Sequence, residues 1–468
     1  MNKNFLKKII ATFLICCLIS ILIFYNSFIT ISYTSKIFYF FPLISILLSI
    51  SLILIYIYFE NIWQRRKLIL IYAIIVSLSL HGINLGPIDP LELVAFIAFI
   101  VWLIDVLTKP KLTIITSPLI LLYTLLIFLS LFSIARFKNL NPINFVAFVE
   151  KLFFFFLIIN LLCTKEMLDK AIKAFIWIGI FNAVIAIFQI IIWEKMGIVL
   201  TFVEEEKNFF KPTPIGMMLR ASAFCSSSTE LSNILILVTP FIMFYLFFSK
   251  LSFKKRLSLI FSLFIISLAV VLTWSSSALL IFILIILLFV YVQKPSWSIH
   301  ITALLAIFIL MGYITGLNEW IIKEFVNIQA GGFDIRMELN KLGLEAIRRY
   351  PLTGVGIRKF GEVFASHVRK YPVHNTYLQI SSEIGILGGI IFVIIIITLV
   401  LGKLTFAIFT TQKLEKVLLK TFLVCYLGFL IRTISEPLYF DNITWFLLGF
   451  IESAIFILAN PNLKRHNN

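Results

Sequence analysis

Residues 278–292 read ALLIFILIILLFVYV, an apolar run without a charged residue. A helix needs about 20 mainly apolar residues to cross a bilayer, and runs of this kind recur along the chain. The whole sequence is 61% hydrophobic and 13% charged, with a mean hydropathy of +1.05. Soluble domains are about 45–50% apolar and about 25% charged. A membrane β-barrel would instead need short strands in which apolar and polar residues alternate, and continuous apolar runs exclude this pattern. We therefore predict an all-α polytopic integral membrane protein.

The apolar-length criterion predicts about 14 transmembrane helices. They lie near residues 9–31, 37–60, 67–84, 91–108, 115–135, 144–163, 171–194, 231–248, 257–273, 276–292, 298–315, 378–401, 417–432 and 443–459.

Basic residues collect in alternate loops between these segments. Short cytoplasmic loops are rich in Lys and Arg, so this alternation predicts cytoplasmic N- and C-termini. The loops predicted to be cytoplasmic carry Arg65, Arg66, Lys67, Lys109, Lys111, Lys165, Lys170, Lys173, Lys250, Lys254, Lys255, Arg256, Lys403, Lys413 and Lys416. The net charge of +17 is explained mostly by this topology, and no nucleic-acid partner is expected.

Two loops are too long to be simple connections, and both are predicted to be extracytoplasmic. The resulting organisation is 1–194 N-terminal transmembrane helices, 195–230 loop, 231–315 transmembrane helices, 316–377 large loop, and 378–468 C-terminal transmembrane helices. Long loops are usually functional. Both loops are rich in Lys and Arg although they are predicted to lie outside, where membrane topology does not require positive charge. These charges favour an anionic partner at the outer face. The alternative is solvated loop charge, balanced by Glu204, Glu205 and Glu206.

The large loop contains the stretch FDIRMELNKLGLEAIRRYP, residues 333–351. Its apolar residues recur at helical spacing, which predicts a short amphipathic helix. Asp334 is a candidate N-cap, and Pro351 ends the helix. Arg336 and Asn340 lie one turn apart, so both could contact one ligand.

A glycine string, Gly354, Gly356 and Gly361, follows this helix. No strand or βαβ unit surrounds it, so a flexible turn is favoured over a dinucleotide site. His374 and Asn375 come next and are predicted to lie at the outer membrane surface. The five cysteines suggest neither a disulfide framework nor a metal site, and no metal or cofactor is expected.

Several motifs occur in a characteristic order. They are LRASAFCSSSTELSNILILVTPF at 219–241 with its Arg-x-x-x-Phe element, Arg336 in the loop helix, YPLTGVG at 350–356, HNTYL at 374–378 and EIGILGGIIF at 383–392. In this order and spacing the sequence resembles the bacterial O-antigen ligase and polymerase family. The resemblance covers about half the chain, from Arg220 to the end of the thirteenth span. It departs at TWSSSALL, residues 273–280, where family members often carry an arginine.

The resemblance implies a metal-independent glycosyltransferase of the bacterial inner membrane. Such an enzyme moves a glycan from undecaprenyl pyrophosphate to a sugar hydroxyl at the periplasmic face. Its partners would be the lipid-linked oligosaccharide, a glycan or lipid A core acceptor, and membrane lipids. The high span number favours a polymerase. A ligase is the first alternative, and a glycolipid transporter or flippase is the alternative from another class.

The candidate site residues follow from this chemistry. Arginine matches phosphate oxygens in bidentate geometry, so Arg220 and Arg336 are predicted to bind the pyrophosphate. Weaker candidates are Arg348, Arg349 and Arg432. His374 is the predicted general base, because histidine titrates near neutral pH, and direct displacement would invert the anomeric carbon. Asn375 and Asn340 are predicted to support the site.

Each of these candidates also has a purely structural interpretation. Arg220 could cap a loop near lipid headgroups, and Arg336 could be a solvated helix residue. His374 could form a hydrogen bond that closes the turn, and Arg432 could form an ion pair with Glu436 or Asp441.

Overall fold

The computed structural model describes most of the chain from residue 60 onward. The described ranges are 60–80, 90–108, 119–136, 142–199, 210–213, 216–297, 299–300, 303, 335–366, 371–411 and 413–459. Within them the chain is almost wholly helical, and a two-stranded antiparallel hairpin pairs Phe210 with Leu219 and Thr213 with Gly216.

The α-helices before the large loop are α1 Glu60–Leu78, α2 Pro90–Thr108, α3 Leu119–Arg136, α4 Pro142–Leu161, α5 Lys165–Met196, α6 Ser228–Phe248, α7 Phe253–Leu272 and α8 Ser276–Gln293, with strands β1 Phe210–Thr213 and β2 Gly216–Leu219 between α5 and α6. A 3-10 turn, Pro295–Trp297, follows α8. The later helices are α9 over residues 335–349, α10 Phe360–Val363, α11 Thr376–Ile384, α12 Ile386–Ile397, α13 Thr405–Thr410, α14 Lys413–Ser435 and α15 Asn442–Ala459. A π-helix, Thr398–Leu404, joins α12 to α13, and a 3-10 turn, Leu438–Phe440, lies between α14 and α15.

Nine helices among the described residues are long and apolar enough to cross a membrane. Each corresponds to a predicted span, so the prediction of an all-α polytopic membrane protein is confirmed. The predicted spans 67–84 and 115–135 also form helices, but α1 carries charged residues and the apolar part of α3 is short, Leu119–Ser133. The predicted spans 9–31, 37–60 and 298–315 lie wholly or almost wholly outside the described residues.

Small residues allow the central helices to approach closely. A Cβ on Gly449 of α15 would lie 2.9 Å from Ile158 of α4, and a Cβ on Gly179 of α5 would lie 2.9 Å from Val238 of α6. Between apolar helices in lipid, such close packing replaces the hydrophobic effect as the source of association. The helices α6 and α15 are buried along most of their length, whereas α7 and α8 expose many apolar side chains.

Two lysines within the spans lie close to acids from other helices. Lys403 in the π-helix pairs with Glu452 of α15, and Lys151 of α4 lies 3.8 Å from Glu92 of α2. An ion in hydrocarbon is costly unless it is paired, so these contacts fix how the helices face one another.

The predicted span 378–401 is wrong at its start, because the helix breaks at Gly385. The span begins after that residue, and α11 is a separate short helix. Gly385 has φ +92°, and a Cβ there would lie 2.4 Å from the carbonyl oxygen of Leu352. Only glycine allows this approach. The break therefore receives the turn that follows α9, whose Pro351 carbonyl accepts a 2.8 Å hydrogen bond from Ile386 N–H.

Gly354 and Gly356 of the glycine string lie in this turn, and the backbone of α11 holds it in place, while Gly361 lies in α10. Val355 N–H donates to Ser382 O at 2.9 Å, and Gly356 N–H donates to Glu383 O at 3.0 Å. Gly354 has φ +62°, and a Cβ there would lie 2.3 Å from the backbone carbon of Glu383.

We predict that Gly354→Ala destabilises the protein much more than Gly197→Ala does. Both positions have positive φ, but a Cβ on Gly197 would meet no atom within 4 Å. The left-handed conformation alone costs about 1–2 kcal/mol. Gly354→Ala adds a clash with backbone, which cannot move aside as a flexible side chain can. Thermal unfolding of both variants in detergent measures the difference, and equal losses would contradict the packing argument.

Candidate functional site

A buried carboxylate, Glu436, lies just beyond the end of α14, and three cationic or titratable side chains surround it. Its side chain is 7% exposed, and its oxygens lie 3.5 Å from Arg336 Nη2, 3.6 Å from His374 Nδ1 and 3.8 Å from Arg432 Nη2. These partners come from α9, from the residue before the cap of α11, and from α14. The sequence-predicted residues Arg336, His374 and Arg432 are thus brought together on one acid.

Glu436 is ionised at neutral pH. Burial by itself raises the pKa of this carboxyl group, but the neighbouring His374 and the charges of Arg432 and Arg336 outweigh it, and the net shift is downward. A buried anion of this kind is stable only when it is paired.

Arg432 is held by the protein on every side. Its side chain is 3% exposed. Its Nε donates to Asn233 Oδ1 at 2.7 Å, Nη1 to Ser277 Oγ at 2.6 Å, and Nη2 to Ser232 Oγ at 3.3 Å. The guanidinium therefore joins the end of α14 to the starts of α6 and α8. It reaches the TWSSSALL turn, which has no arginine of its own.

Arg336 differs from Arg432 in its exposure. Its side chain is 40% exposed, and one nitrogen is at the limit of hydrogen-bond distance from Glu436. Among the described residues, this contact with Glu436 is the one hydrogen bond of the Arg336 guanidinium.

Arg220 is the fourth cation of the site. It follows β2, is half-buried, and donates from Nε to Thr273 O at 3.2 Å. Burial lowers the pKa of Arg220, and Glu436, Arg336 and Arg432 lie close enough to act on it electrostatically. Arg220, Arg336 and His374 therefore share one region of the molecule.

A buried glutamine on α5 holds the backbone just after Arg220. Gln189 Oε1 accepts from Ser222 N–H at 3.1 Å and from Ala223 N–H at 2.8 Å, while Nε2 donates to Ala223 O at 3.2 Å. Ala223 has φ +50°, so these bonds offset a conformation that alanine rarely adopts.

His374 immediately precedes the N-cap of α11. The cap is Asn375, whose Oδ1 accepts from the N–H groups of Tyr377 and Leu378 at 3.0 Å. His374 is 23% exposed and turns Nδ1 toward Glu436, so Nε2 is the ring nitrogen that remains for a ligand.

The other predicted residues lie on α9, outside this cluster. Arg349 pairs with Glu345 one turn away and lies 5.6 Å from the ring centre of Phe364. Arg348 is exposed. Asn340 Oδ1 is buried and has no hydrogen-bond partner among the described residues.

A second buried acid, Glu383 of α11, connects its helix to three other segments. It accepts hydrogen bonds from the Tyr439 hydroxyl, from Arg358 N–H at 2.7 Å and from Gln379 Nε2 at 2.7 Å. Its backbone oxygen accepts from Ser133 Oγ at 2.7 Å. Burial raises the pKa of Glu383 to about 7, although its hydrogen-bond donors oppose the shift.

Sequence reasoning missed the roles of Glu436 and Glu383. Glu436 was considered only as an ion-pair partner of Arg432, and Glu383 stood inside a predicted span. An acid within an apolar segment is a recognisable signal, because such residues are rare unless paired. The signal for Glu436 was the charge at the end of α14, between two predicted spans.

Glu383 gives a stability prediction with a defined sign. Because its pKa is raised on folding, the folded state keeps the proton that the unfolded chain releases, and stability falls as the pH rises from about 4.5 to about 7. Glu383→Gln should remove this part of the pH dependence. Thermal unfolding of both proteins across that range tests the prediction, and parallel curves would contradict it.

Comparison with known proteins agrees with the resemblance carried by the motifs. Residues 261–393 match the family model described as O-antigen ligase. This segment includes Arg336, His374 and Glu383 and ends before Arg432 and Glu436. No curated protein matches the chain. The predicted resemblance to the O-antigen ligase and polymerase family is thus confirmed: residues 261–393 of this multi-pass membrane protein are similar to the O-antigen ligase family model.

Proposed function

We propose that the protein is an inverting, metal-independent glycosyltransferase that moves a glycan from undecaprenyl pyrophosphate to a sugar hydroxyl at the extracytoplasmic membrane face. The observation that carries the proposal is that Arg336 and His374 contact the carboxylate of Glu436 and that Arg220 lies near enough to interact with it electrostatically. The O-antigen ligase match supports the same chemistry.

The cationic side of the site suits a diphosphate. The guanidinium groups of Arg336 and Arg432 lie within 4 Å of Glu436, and Arg220 is near enough to interact with it electrostatically. Asp441 also acts on Arg432, so three cations face two carboxylates and the charge of the arginines exceeds that of the acids. Among the described residues Arg336 and Arg220 each make one side-chain hydrogen bond, which leaves N–H donors for phosphate oxygens. Negative charge grows on the pyrophosphate as the glycosidic bond breaks, and donors already in place stabilise that charge without reorganisation.

Arg432 acts through the protein rather than on the substrate in this proposal. Its nitrogens are directed at Asn233, Ser277 and Ser232, which leaves little for a ligand. It adds positive charge to the site and fixes the position of Glu436, one helical turn further along the chain.

His374 is the general base. With the anionic Glu436 beside Nδ1, the proton of a neutral imidazole is favoured at Nδ1, and Nε2 has the free lone pair. Nε2 takes the proton of the acceptor hydroxyl as its oxygen bonds to the anomeric carbon. The bond from that carbon to the phosphate oxygen breaks on the opposite face, and the pyrophosphate leaves with the electron pair. One displacement of this kind inverts the anomeric configuration.

Polymerase and ligase reactions share this donor chemistry and differ in the acceptor. A growing glycan accepts in the first reaction, and lipid A core accepts in the second. The lipid-linked intermediate that accumulates in an inactive variant therefore identifies the reaction.

We predict that His374→Ala abolishes transfer and that His300→Ala does not. His300 is exposed and serves as a matched control. Loss of a general base typically costs about 10²–10⁴ in rate. Surface polysaccharide is displayed on a gel from cells that carry each variant. Accumulated lipid-linked polymer indicates a ligase, and accumulated single repeat units indicate a polymerase. Normal polysaccharide with His374→Ala would refute the proposal and favour a transporter.

We predict that Arg336→Ala lowers turnover about 10²–10³-fold, the loss typical of one transition-state donor. The control is Lys341→Ala, which removes an exposed cation from the same helix. Rates of glycan transfer in membrane vesicles that contain the endogenous lipid-linked glycan measure both variants. Equal effects of the two substitutions would show that general positive charge, not the position of Arg336, matters.

A further inference from the structure

Thr376 is a fully buried residue whose hydroxyl joins two separate parts of the site. It is the first residue of α11, two positions after His374. Its Oγ1 donates to the backbone oxygen of Glu436 at 2.6 Å and accepts from Leu438 N–H at 2.8 Å. One side chain thus connects the segment of His374 to the segment of Glu436.

The local geometry leaves the hydroxyl free for this contact. A threonine at the start of a helix usually bonds to its own helix, often as the cap. Here Asn375 already caps α11 through Tyr377 N–H and Leu378 N–H. Thr376 can therefore direct its hydroxyl across to the neighbouring segment.

The segment that receives the hydroxyl is a tight turn at Pro437. Pro437 has φ −84° and ψ 69°, which are the angles of an inverse γ-turn, and Leu438 N–H lies 3.1 Å from Glu436 O across it. The Thr376 hydroxyl bonds to both polar groups of this turn. Because proline has no N–H of its own, these two contacts fix the backbone on each side of it.

Two neighbouring contacts support the same junction. Asn375 Nδ2 donates to Ile434 O at 3.2 Å, and the hydroxyl groups of Tyr377 and Thr433 lie 2.8 Å apart. Three consecutive residues of the α11 start therefore contact the end of α14. Among these three, Thr376 is the one that bonds to Glu436 itself.

We propose that Thr376 is a positioning residue whose hydroxyl sets the distance between the Glu436 carboxylate and His374 Nδ1. This inference rests on the proposed function, because the distance matters only if His374 acts as the base. If Thr376 only packed in the core, valine could replace it, because valine has the same shape. If its hydroxyl positions Glu436, valine cannot replace it, because valine lacks the hydroxyl.

The experiment compares Thr376→Val, Thr376→Ser and a matched control, Thr421→Val. Thr421 is also fully buried on α14, and its hydroxyl bonds to Val417 O at 3.0 Å and to Gln293 Nε2 at 3.1 Å, far from the site. Turnover and KM for the endogenous lipid-linked glycan are measured in membrane vesicles. Protein amount and thermal stability are measured on the same samples.

Thr376→Val should lower kcat about 10- to 100-fold with KM nearly unchanged, because a displacement of about 1 Å in a catalytic group has effects of this size. Thr376→Ser, which keeps the hydroxyl, should restore turnover. Thr421→Val should lose similar stability and keep normal turnover. If Thr376→Val is not recovered, Thr376→Cys replaces it, since the thiol matches serine in shape but bonds weakly.

The results distinguish failure of the positioning role from failure of the proposed function. Normal kcat in Thr376→Val or Thr376→Cys, with His374→Ala inactive, would overturn the positioning role and leave the proposed function intact. Normal transfer by His374→Ala would overturn the proposed function itself, whatever the Thr376 variants do.

Discussion

The burial of one carboxylate constrains the arrangement of this site. Glu436 is 7% exposed, and an isolated anion in such a place would be too costly to keep. Its partners, Arg336, His374 and Arg432, must therefore stay close. Because they belong to α9, to the start of α11 and to α14, the requirement to pair one charge fixes the relation between three segments distant in sequence. Arg432 extends the constraint to α6 and α8 through Asn233 and Ser277.

Exposure divides the arginines into two kinds. Arg432 is 3% exposed and hydrogen-bonds to Asn233, Ser277 and Ser232, whereas Arg336 is 40% exposed and contacts Glu436 at the limit of hydrogen-bond distance. A buried guanidinium held in this way contributes charge and rigidity, and its bonds oppose the reorientation that a new bidentate contact would need. The proposed function therefore gives different tasks to Arg432 and Arg336, which look equivalent in the sequence as candidate phosphate ligands.

The sequence was sufficient for the membrane fold because each span is a local pattern of apolar residues. It also pointed to Arg220, Arg336 and His374 through motif order. It could not show the contacts that join them, since Arg336 and Glu436 are 100 residues apart and no local periodicity links them. The helix break at Gly385 was missed for a related reason. Hydropathy continues across it, and only the close approach of Leu352 explains why the chain needs glycine there.

The cluster lies where helices end, and this location bears on the choice between transfer and transport. Transporters place their binding groups near the middle of the bilayer, commonly at broken helices. Here Arg432 is in the last turn of α14, His374 precedes the cap of α11, and Glu436 lies beyond a span. The charged residues described within spans include Lys403, which pairs with Glu452, and Lys151, which lies 3.8 Å from Glu92. Helix ends leave backbone groups without helical partners, so a site built there can hold a charged ligand without interrupting a span. That arrangement favours group transfer.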